Sequence, residues 1–182
     1  PHTPFVEPLT VLHQWQGICY YKKKITITPE EAKKHIWIEF EGAMHLADVW
    51  INGKHVMQHA GGYTPFVVDA TGLLKTGKEN ELLVRLDNRN NSLIPPGKPL
   101  ETLDFCYYGG IYRNVHLIAK ADVHITHPIL DGHPAGAGIF ITYPKVSQEL
   151  SVVDAKTEIK NTSDKEKVVE LRHTLYTWKK QK

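Results

Sequence analysis

The chain has 182 residues, of which 41% are hydrophobic and 23% are charged, and its 22 basic and 20 acidic residues give a net charge of +2. These values are typical of a globular protein with one domain, or with one domain and part of a second. No basic stripe marks a nucleic-acid interface, and no apolar stretch reaches the roughly 18 residues that cross a bilayer. We therefore expect neither a nucleic-acid nor a membrane partner, and we interpret the run Lys22–Lys24 as a solvated face.

The N-terminal segment PHTPFVEPL has neither a charged n-region nor an apolar h-region, so we expect no signal peptide within this chain. The compartment stays open, with a bacterial periplasmic or extracellular location as one option. The two cysteines, Cys19 and Cys106, have no metal-binding spacing and are interpreted as buried free thiols.

The periodic segments of the chain predict strands. A short turn is expected first, where Thr28 and Glu31 form the pattern of a capping box. Further along, apolar residues alternate with their neighbours at period two, which is typical of strands with one buried face. These segments are residues 36–40, 82–86, 139–143 and 169–175.

Turn residues separate these strands. Asn52-Gly53 lies between two strand-like runs and predicts a two-residue hairpin. Strands that recur every 8–12 residues or so indicate a sandwich or barrel, and the sequence has no βαβ alternation. The pattern therefore predicts an all-β fold.

The segment from Asn88 to Thr102 has no periodicity and contains three prolines. Loops of this length inside a compact domain tend to be functional or disordered. It leads into LDFCYYGGIYRNVHLI, residues 103–118, whose aromatic, amide and acidic side chains are typical of a sugar-facing loop. An ordinary strand-loop-strand with core aromatics is the alternative interpretation, and composition leaves both open.

A domain boundary is predicted near residues 120–122, because a new strand and a Gly-rich loop follow it. The remaining 60 or so residues are too few for an immunoglobulin-like sandwich of about 100 residues. We therefore expect the chain to be a fragment that stops within its second domain.

Metal and nucleophile chemistry have little support in the sequence. His55 and His59 lie about 13 Å apart on a strand, which is too far for one metal ion. There is no G-x-S-x-G elbow and no phosphate-binding loop. We therefore expect no cofactor and no metal site in this chain, while residue types alone leave a Ser-His-Asp triad open.

The chain strongly resembles the N-terminal region of glycoside hydrolase family 2, which contains β-galactosidases, β-glucuronidases and β-mannosidases. Six motifs in family order carry the resemblance. They are Gly17–Lys23, Phe40–Gly42 with Asp48–Lys54, Gly61–Phe66 with Asp69 and Thr71, Val84–Asn88, Ile94–Gly97 and Gly109–Val115.

The resemblance implies a jelly-roll β-sandwich, like a galactose-binding domain, over residues 1–120. It implies a partial immunoglobulin-like β-sandwich over residues 121–182. In the family a TIM barrel follows and supplies two catalytic glutamates, so this fragment is expected to bind or assemble but not to hydrolyse.

The resemblance also implies the candidate substrate-binding residues. Asp104, followed by Phe105, matches the acidic position that reaches the sugar in the family, and Asn114 follows the arginine of the Gly109–Val115 motif. Asn88, where the long loop begins, is the fourth candidate. Arg113 is expected to be structural, paired with an acid or a carbonyl.

The expected function is that of a non-catalytic part of a family 2 enzyme, of β-galactosidase type, that hydrolyses terminal β-glycosides with retention. The expected partners are a carbohydrate and the parent's own catalytic barrel, and a homo-oligomer is left open. The alternatives are a β-glucuronidase or β-mannosidase of the same family, or a stand-alone carbohydrate-binding or architectural module.

Overall fold

The computed structural model describes residues 15–103, 105, 108–133 and 137–176, and this part of the chain is almost entirely β-structure. The chain forms two compact units, divided between Ala121 and Asp122. The strands of the first unit are β1 (Ile18–Ile25), β2 (His35–Phe40), β3 (Ala43–Met44), β4 (Leu46–Ile51), β5 (Lys54–Ala60), β6 (Phe66–Asp69), β7 (Asn80–Asp87), β8 (Gly110–Ile111) and β9 (Val115–Lys120). The strands of the second unit are β10 (Val123–Ile125), β11 (Ile139–Val146), β12 (Ser151–Thr157) and β13 (Ile159–Asn161).

The first unit is a sandwich of two antiparallel sheets, with strand orders β1-β7-β4-β5 and β6-β2-β9, and a short β3-β8 pair. The inner faces of both sheets form one core, to which β4 contributes Val49 and β2 contributes Phe40. The rings of Phe40 and Phe66 stack with centroids 4.5 Å apart across the β2–β6 pair. Each such fully buried side chain stabilises the fold by about 1.5–3 kcal/mol. The predicted all-β sandwich is confirmed.

Alternation within the strands agrees with the prediction in β7, where Leu82, Val84 and Leu86 are buried. In β2 the predicted alternation is only partly correct. Trp37, expected on the open face, is only 5% exposed. Its strand lies between β6 and β9, so the indole has neighbouring strands on both sides.

The two predicted turns are present. Ile51 pairs with Lys54, and Asn52 and Gly53 have φ angles of 51° and 80°, as a two-residue hairpin requires. The backbone N–H of Thr28 donates to the Glu31 carboxylate at 2.8 Å, and the N–H of Glu31 donates to the Thr28 hydroxyl at 3.2 Å. This reciprocal pair precedes a single 3₁₀ turn, Glu31–Lys33.

The long segment between β7 and β8 is anchored by its own side chains. Ile94 and Leu100 are buried, and a 3₁₀ turn covers Leu100–Thr102. The N–H of Leu100 donates to the side-chain oxygen of Asn90 at 3.0 Å. The loop therefore has a defined path from β7 toward the aromatic run.

The second unit contains two antiparallel pairs, β10–β13 and β11–β12. The predicted strand at residues 139–143 is confirmed, but its expected inward set, Ile139, Ile141 and Tyr143, is exposed. The predicted strand at 169–175 is wrong, because residues 162–176 form no strand. Val168 is fully exposed, and within the described residues no neighbouring strand pairs with this segment.

No helix in the described part of the chain has the length and apolar character that a bilayer crossing needs. Cys19 is a half-buried free thiol rather than a fully buried one, and burial raises its pKa. Cys106 lies outside the described residues.

Candidate functional site

The motif Gly109–Asn114 is fixed to the sandwich through its tyrosine. Ile111 and Gly110 pair with Ala43 and Met44 as strand β8. The hydroxyl of Tyr112 donates to the carbonyl of Gly62 at 2.5 Å, and its ring packs so tightly on Gly42 that a Cβ there would lie 2.7 Å from Cζ. The close packing of the ring explains why position 42 is a glycine, whereas the bond to Gly62 uses only its backbone carbonyl.

Asn114 is exposed where the motif enters β9. Its backbone N–H donates to Oε2 of Glu41 at 3.3 Å, and its carbonyl accepts from the N–H of Glu41 at 3.1 Å. The other carboxylate oxygen of Glu41 lies 3.1 Å from Nε2 of His116. These bonds hold Asn114 through its main chain, in a position where its side-chain amide can serve a ligand.

Arg113 is exposed, and its guanidinium lies 6.0 Å from the centre of the Tyr112 ring. Within the described residues its contact is therefore with an aromatic face, and the predicted pairing with an acid or a carbonyl is not seen there.

Phe105 is 43% exposed, as a ring that covers a sugar must be. Asp104, the acidic candidate, lies outside the described residues, so its role stays a prediction.

Asn88 is only 2% exposed. Its side-chain oxygen accepts from the N–H of Gly17 at 2.7 Å, and its Nδ2 donates to the carbonyl of Trp15 at 2.9 Å. The amide is also packed beneath Gly109. We interpret Asn88 as a support for the motif, and a direct bond to a sugar stays a prediction.

A charged cluster that the sequence analysis did not identify lies on the outer face of the four-stranded sheet. Arg85 bonds Asp48 at 3.1 Å and Asp87 at 3.3 Å. Arg89 holds the carboxylate of Asp87 by two bonds, of 2.9 Å from Nε and 2.6 Å from Nη2. Arg85 and Asp87 alternate in the V-R-L-D run of β7, which was the available signal for a shared face.

The carboxyl groups of this cluster are held ionised. The hydrogen bond from Arg89 lowers the pKa of Asp87 and outweighs the opposing effect of burial. Burial would raise the pKa of Asp48, but bonds from Gln58, His55 and Arg85 bring it below its usual range. Beside the cluster, His45 is buried, and this burial lowers the pKa of its imidazole.

Two concave regions adjoin these elements. One is a polar cleft of about 540 Å³, lined by His45, Leu46, Arg85, Asp87, Arg89, Asn90 and Asn91. The other is an apolar trough of about 400 Å³ between β1 and β9. Val115 and Leu117 line the trough and are each more than a third exposed. Within the described residues, no group of three His, Cys, Asp or Glu side chains could hold a metal ion.

The structure therefore defines a β-sandwich domain with a Gly-Gly-Ile-Tyr-Arg-Asn motif, in which the two glycines are buried and Arg113 and Asn114 are exposed. The family model described as "Glycosyl hydrolases family 2, sugar binding domain" matches residues 5–121. The chain belongs to glycosyl hydrolase family 2.

Two curated relatives and one solved structure show the range of this similarity. A β-glucuronidase from Bacteroides fragilis is 36% identical over 80% of this chain and 20% of its own length. A β-galactosidase from Thermoanaerobacter pseudethanolicus is 36% identical over 88% of this chain and 21% of its own. The structure of Bacteroides uniformis β-glucuronidase 2, covalently bound to cyclophellitol-6-carboxylate aziridine, has a TM-score of 0.74 and 32% identity over 90% of this chain and 18% of that one. The chain thus spans about a fifth of the length of these proteins.

Proposed function

We propose that this chain is the N-terminal, non-catalytic part of a family 2 glycosidase that hydrolyses terminal β-glycosides with retention. The observation that supports this proposal is that two residues of one motif, Tyr112 and Asn114, are held in different ways. Tyr112 is fixed on Gly42 and Gly62, whereas Asn114 is exposed and held only by its main chain. A subsite that another domain completes needs a firmly held backbone and an exposed polar side chain. Tyr112 and Asn114 provide these two features.

In this proposal, Asn114 and Asp104 hydrogen-bond hydroxyl groups of the sugar, and the exposed ring of Phe105 covers an apolar face of it. A sugar that lacks the matching hydroxyl leaves these groups unpaired, which costs about 1–3 kcal/mol for each lost bond. The loop therefore contributes to substrate selection without contacting the scissile bond.

The bond-breaking groups belong to the catalytic barrel of the parent. Retaining glycosidases need an acid/base and a nucleophilic carboxylate about 5–5.5 Å apart. We propose that the 182-residue chain alone does not hydrolyse chromogenic β-glycosides. Hydrolysis by the purified chain that persists after a further purification step would contradict the proposal that the catalytic groups lie only in the barrel.

We propose a β-galactosidase as the parent, with a β-glucuronidase as the second candidate. The second candidate is kept because relatives of both kinds match at the same 36% identity. Side-by-side assays of the full-length parent on p-nitrophenyl β-galactoside and β-glucuronide separate the two. Preference for the glucuronide would overturn the galactosidase assignment but not the family 2 mechanism.

The role of Asn114 is tested by Asn114→Ala in the full-length parent. The main-chain bonds to Glu41 are retained, so the fold should persist while kcat/KM falls about ten-fold. His116→Ala is the matched control, because His116 is exposed two residues further on, in β9, and contacts the same Glu41. An unchanged kcat/KM in Asn114→Ala would indicate a purely architectural domain.

A further inference from the structure

The outer face of the four-stranded sheet carries an ordered row of aromatic and polar side chains. Strand register aligns Tyr20 of β1 with Arg85 of β7, Arg85 with Asp48 of β4, and Asp48 with Gln58 of β5. Neighbouring strands lie about 4.8 Å apart, so the row extends for about 14 Å. Tyr20 faces outward and is 63% exposed, since its neighbours Cys19 and Tyr21 pack on the core.

Bonds within the cluster fix these side chains before any ligand arrives. Arg85 is held between Asp48 and Asp87, and Gln58 donates to Asp48 at 2.9 Å. Arg89 is held by Asp87 yet is 59% exposed, so part of its guanidinium faces solvent. Little side-chain entropy remains to be lost when a ligand binds such a surface.

The polar cleft lies beside this row, because Arg85 belongs to the row and also lines the cleft together with its partner Asp87. Its volume of about 540 Å³ falls within the usual range of about 300–1,000 Å³ for small-ligand sites. Arg89, Asn90 and Asn91 line its wall. The side-chain oxygens of the two asparagines already accept from Gln16, Leu100 and Leu93, so the groups suited to a hydroxyl oxygen are the Nδ2 donors and the Arg89 guanidinium.

The charge of the site selects among ligands. Two carboxylates, Asp48 and Asp87, are paired with two guanidiniums, Arg85 and Arg89, so the cluster carries no net charge. A uronate or a phosphate would need a guanidinium that is not already neutralised.

We propose that this cleft is a second carbohydrate site, which binds a neutral saccharide by stacking on Tyr20 and hydrogen bonding to Arg89 and Asn90. It does not rest on the proposed function, because all of its residues belong to the sandwich itself. The subsite around Asn114 needs the parent's barrel, whereas the residues named for this site all belong to the described part of the sandwich.

The test is calorimetric titration of the 182-residue chain with lactose and cellobiose as neutral probes and glucuronate as the charged one. We expect saturable millimolar binding of a neutral disaccharide and at least five-fold weaker binding of glucuronate. Tyr20→Ala and Arg89→Ala should each weaken binding at least five-fold. Amide NMR shifts should map to Tyr20, Arg89 and Asn90.

The second unit supplies matched controls. Tyr143 is 63% exposed, the same as Tyr20, and Arg172 bonds Glu170 as Arg89 bonds Asp87. Tyr143→Ala and Arg172→Ala should leave the affinity unchanged, and thermal midpoints verify that every variant is folded. The proposal is overturned by no saturable binding at 100 mM of any probe, by preference for glucuronate, or by equal losses in the control variants.

Discussion

Gly109 lies directly against the side-chain amide of Asn88, so closely that a Cβ at position 109 would be 2.9 Å from Cγ of Asn88. Asn88 cannot withdraw, because its amide is bonded to Gly17 and Trp15. Gly109→Ala should therefore destabilise the sandwich by about 1–3 kcal/mol, measured by urea unfolding with tryptophan fluorescence.

A double-mutant cycle identifies the cause of that loss. Asn88→Ala alone should cost about 1–3 kcal/mol through its lost buried bonds. If the added methyl group clashes with this amide, the double variant should lose less than the sum of the two single losses. Strict additivity would exclude the contact as the reason that position 109 needs glycine.

Asn80 is a second buried amide with a structural role. It is fully buried, its oxygen accepts from the N–H of Lys75 at 2.7 Å and from Nδ2 of Asn52 at 2.9 Å, and its Nδ2 donates to the carbonyls of Lys75 and Lys78. Asn80→Ala should lower the free energy of unfolding by about 2–4 kcal/mol. Asn161→Ala is the comparison, because its side chain also bonds a nearby loop but is exposed, and it should cost less than about 1 kcal/mol. Equal losses of unfolding free energy in the two variants would contradict the expectation that burial makes the Asn80 bonds more stabilising.

Tyr112→Phe tests how the motif is anchored. The change removes the bond to Gly62 but keeps the ring that packs on Gly42. We expect about 1 kcal/mol of lost stability in the 182-residue chain and a raised KM in the parent enzyme, because Asn114 is less firmly positioned. An unchanged KM together with lost stability would separate the anchor from substrate binding.

Acid should weaken the sandwich through the charged cluster. The pKa of Asp87 is lower in the folded than in the unfolded chain, so its contribution is complete above about pH 4 and is lost as the pH falls through the folded value. The free energy of unfolding should therefore decrease from pH 4 toward pH 2. Asp87→Asn should reduce that slope, and Arg89→Ala should do the same because it removes the main cause of the shift. A slope unchanged in both variants would contradict this assignment.

Local features of the sequence predicted the local structure well. The Asn52-Gly53 turn and the alternation of Leu82, Val84 and Leu86 depend on neighbours in the chain, and both were correct. The burial of Trp37 was missed because it depends on strands on both sides of β2. The strand expected at 169–175 failed because pairing requires a partner, which the pattern of one segment does not specify.

The candidate sites also differ in whether their residues are neighbours in the chain. The Gly109–Asn114 motif is continuous in the chain, so the sequence could single it out, although its composition alone left an ordinary strand-loop-strand open. The cluster of Arg85 and Asp48 joins residues 37 positions apart, and only the register of β7 on β4 brings them together. Likewise, the sequence could not show that the Asn88 amide bonds Gly17 and Trp15, which lie more than 70 positions away.

The apolar trough between β1 and β9 has a further consequence for how the chain behaves in isolation. Among the described strands, β1 and β9 are the outermost members of their sheets, so two strand edges border one apolar channel. Exposed strand edges can pair with a strand of another chain, which promotes aggregation. Charged side chains on the β1 edge oppose such pairing: Lys22 is paired with Glu81 and Lys24 with Glu79, beside the exposed Lys23, and a second copy would have to take these groups out of water.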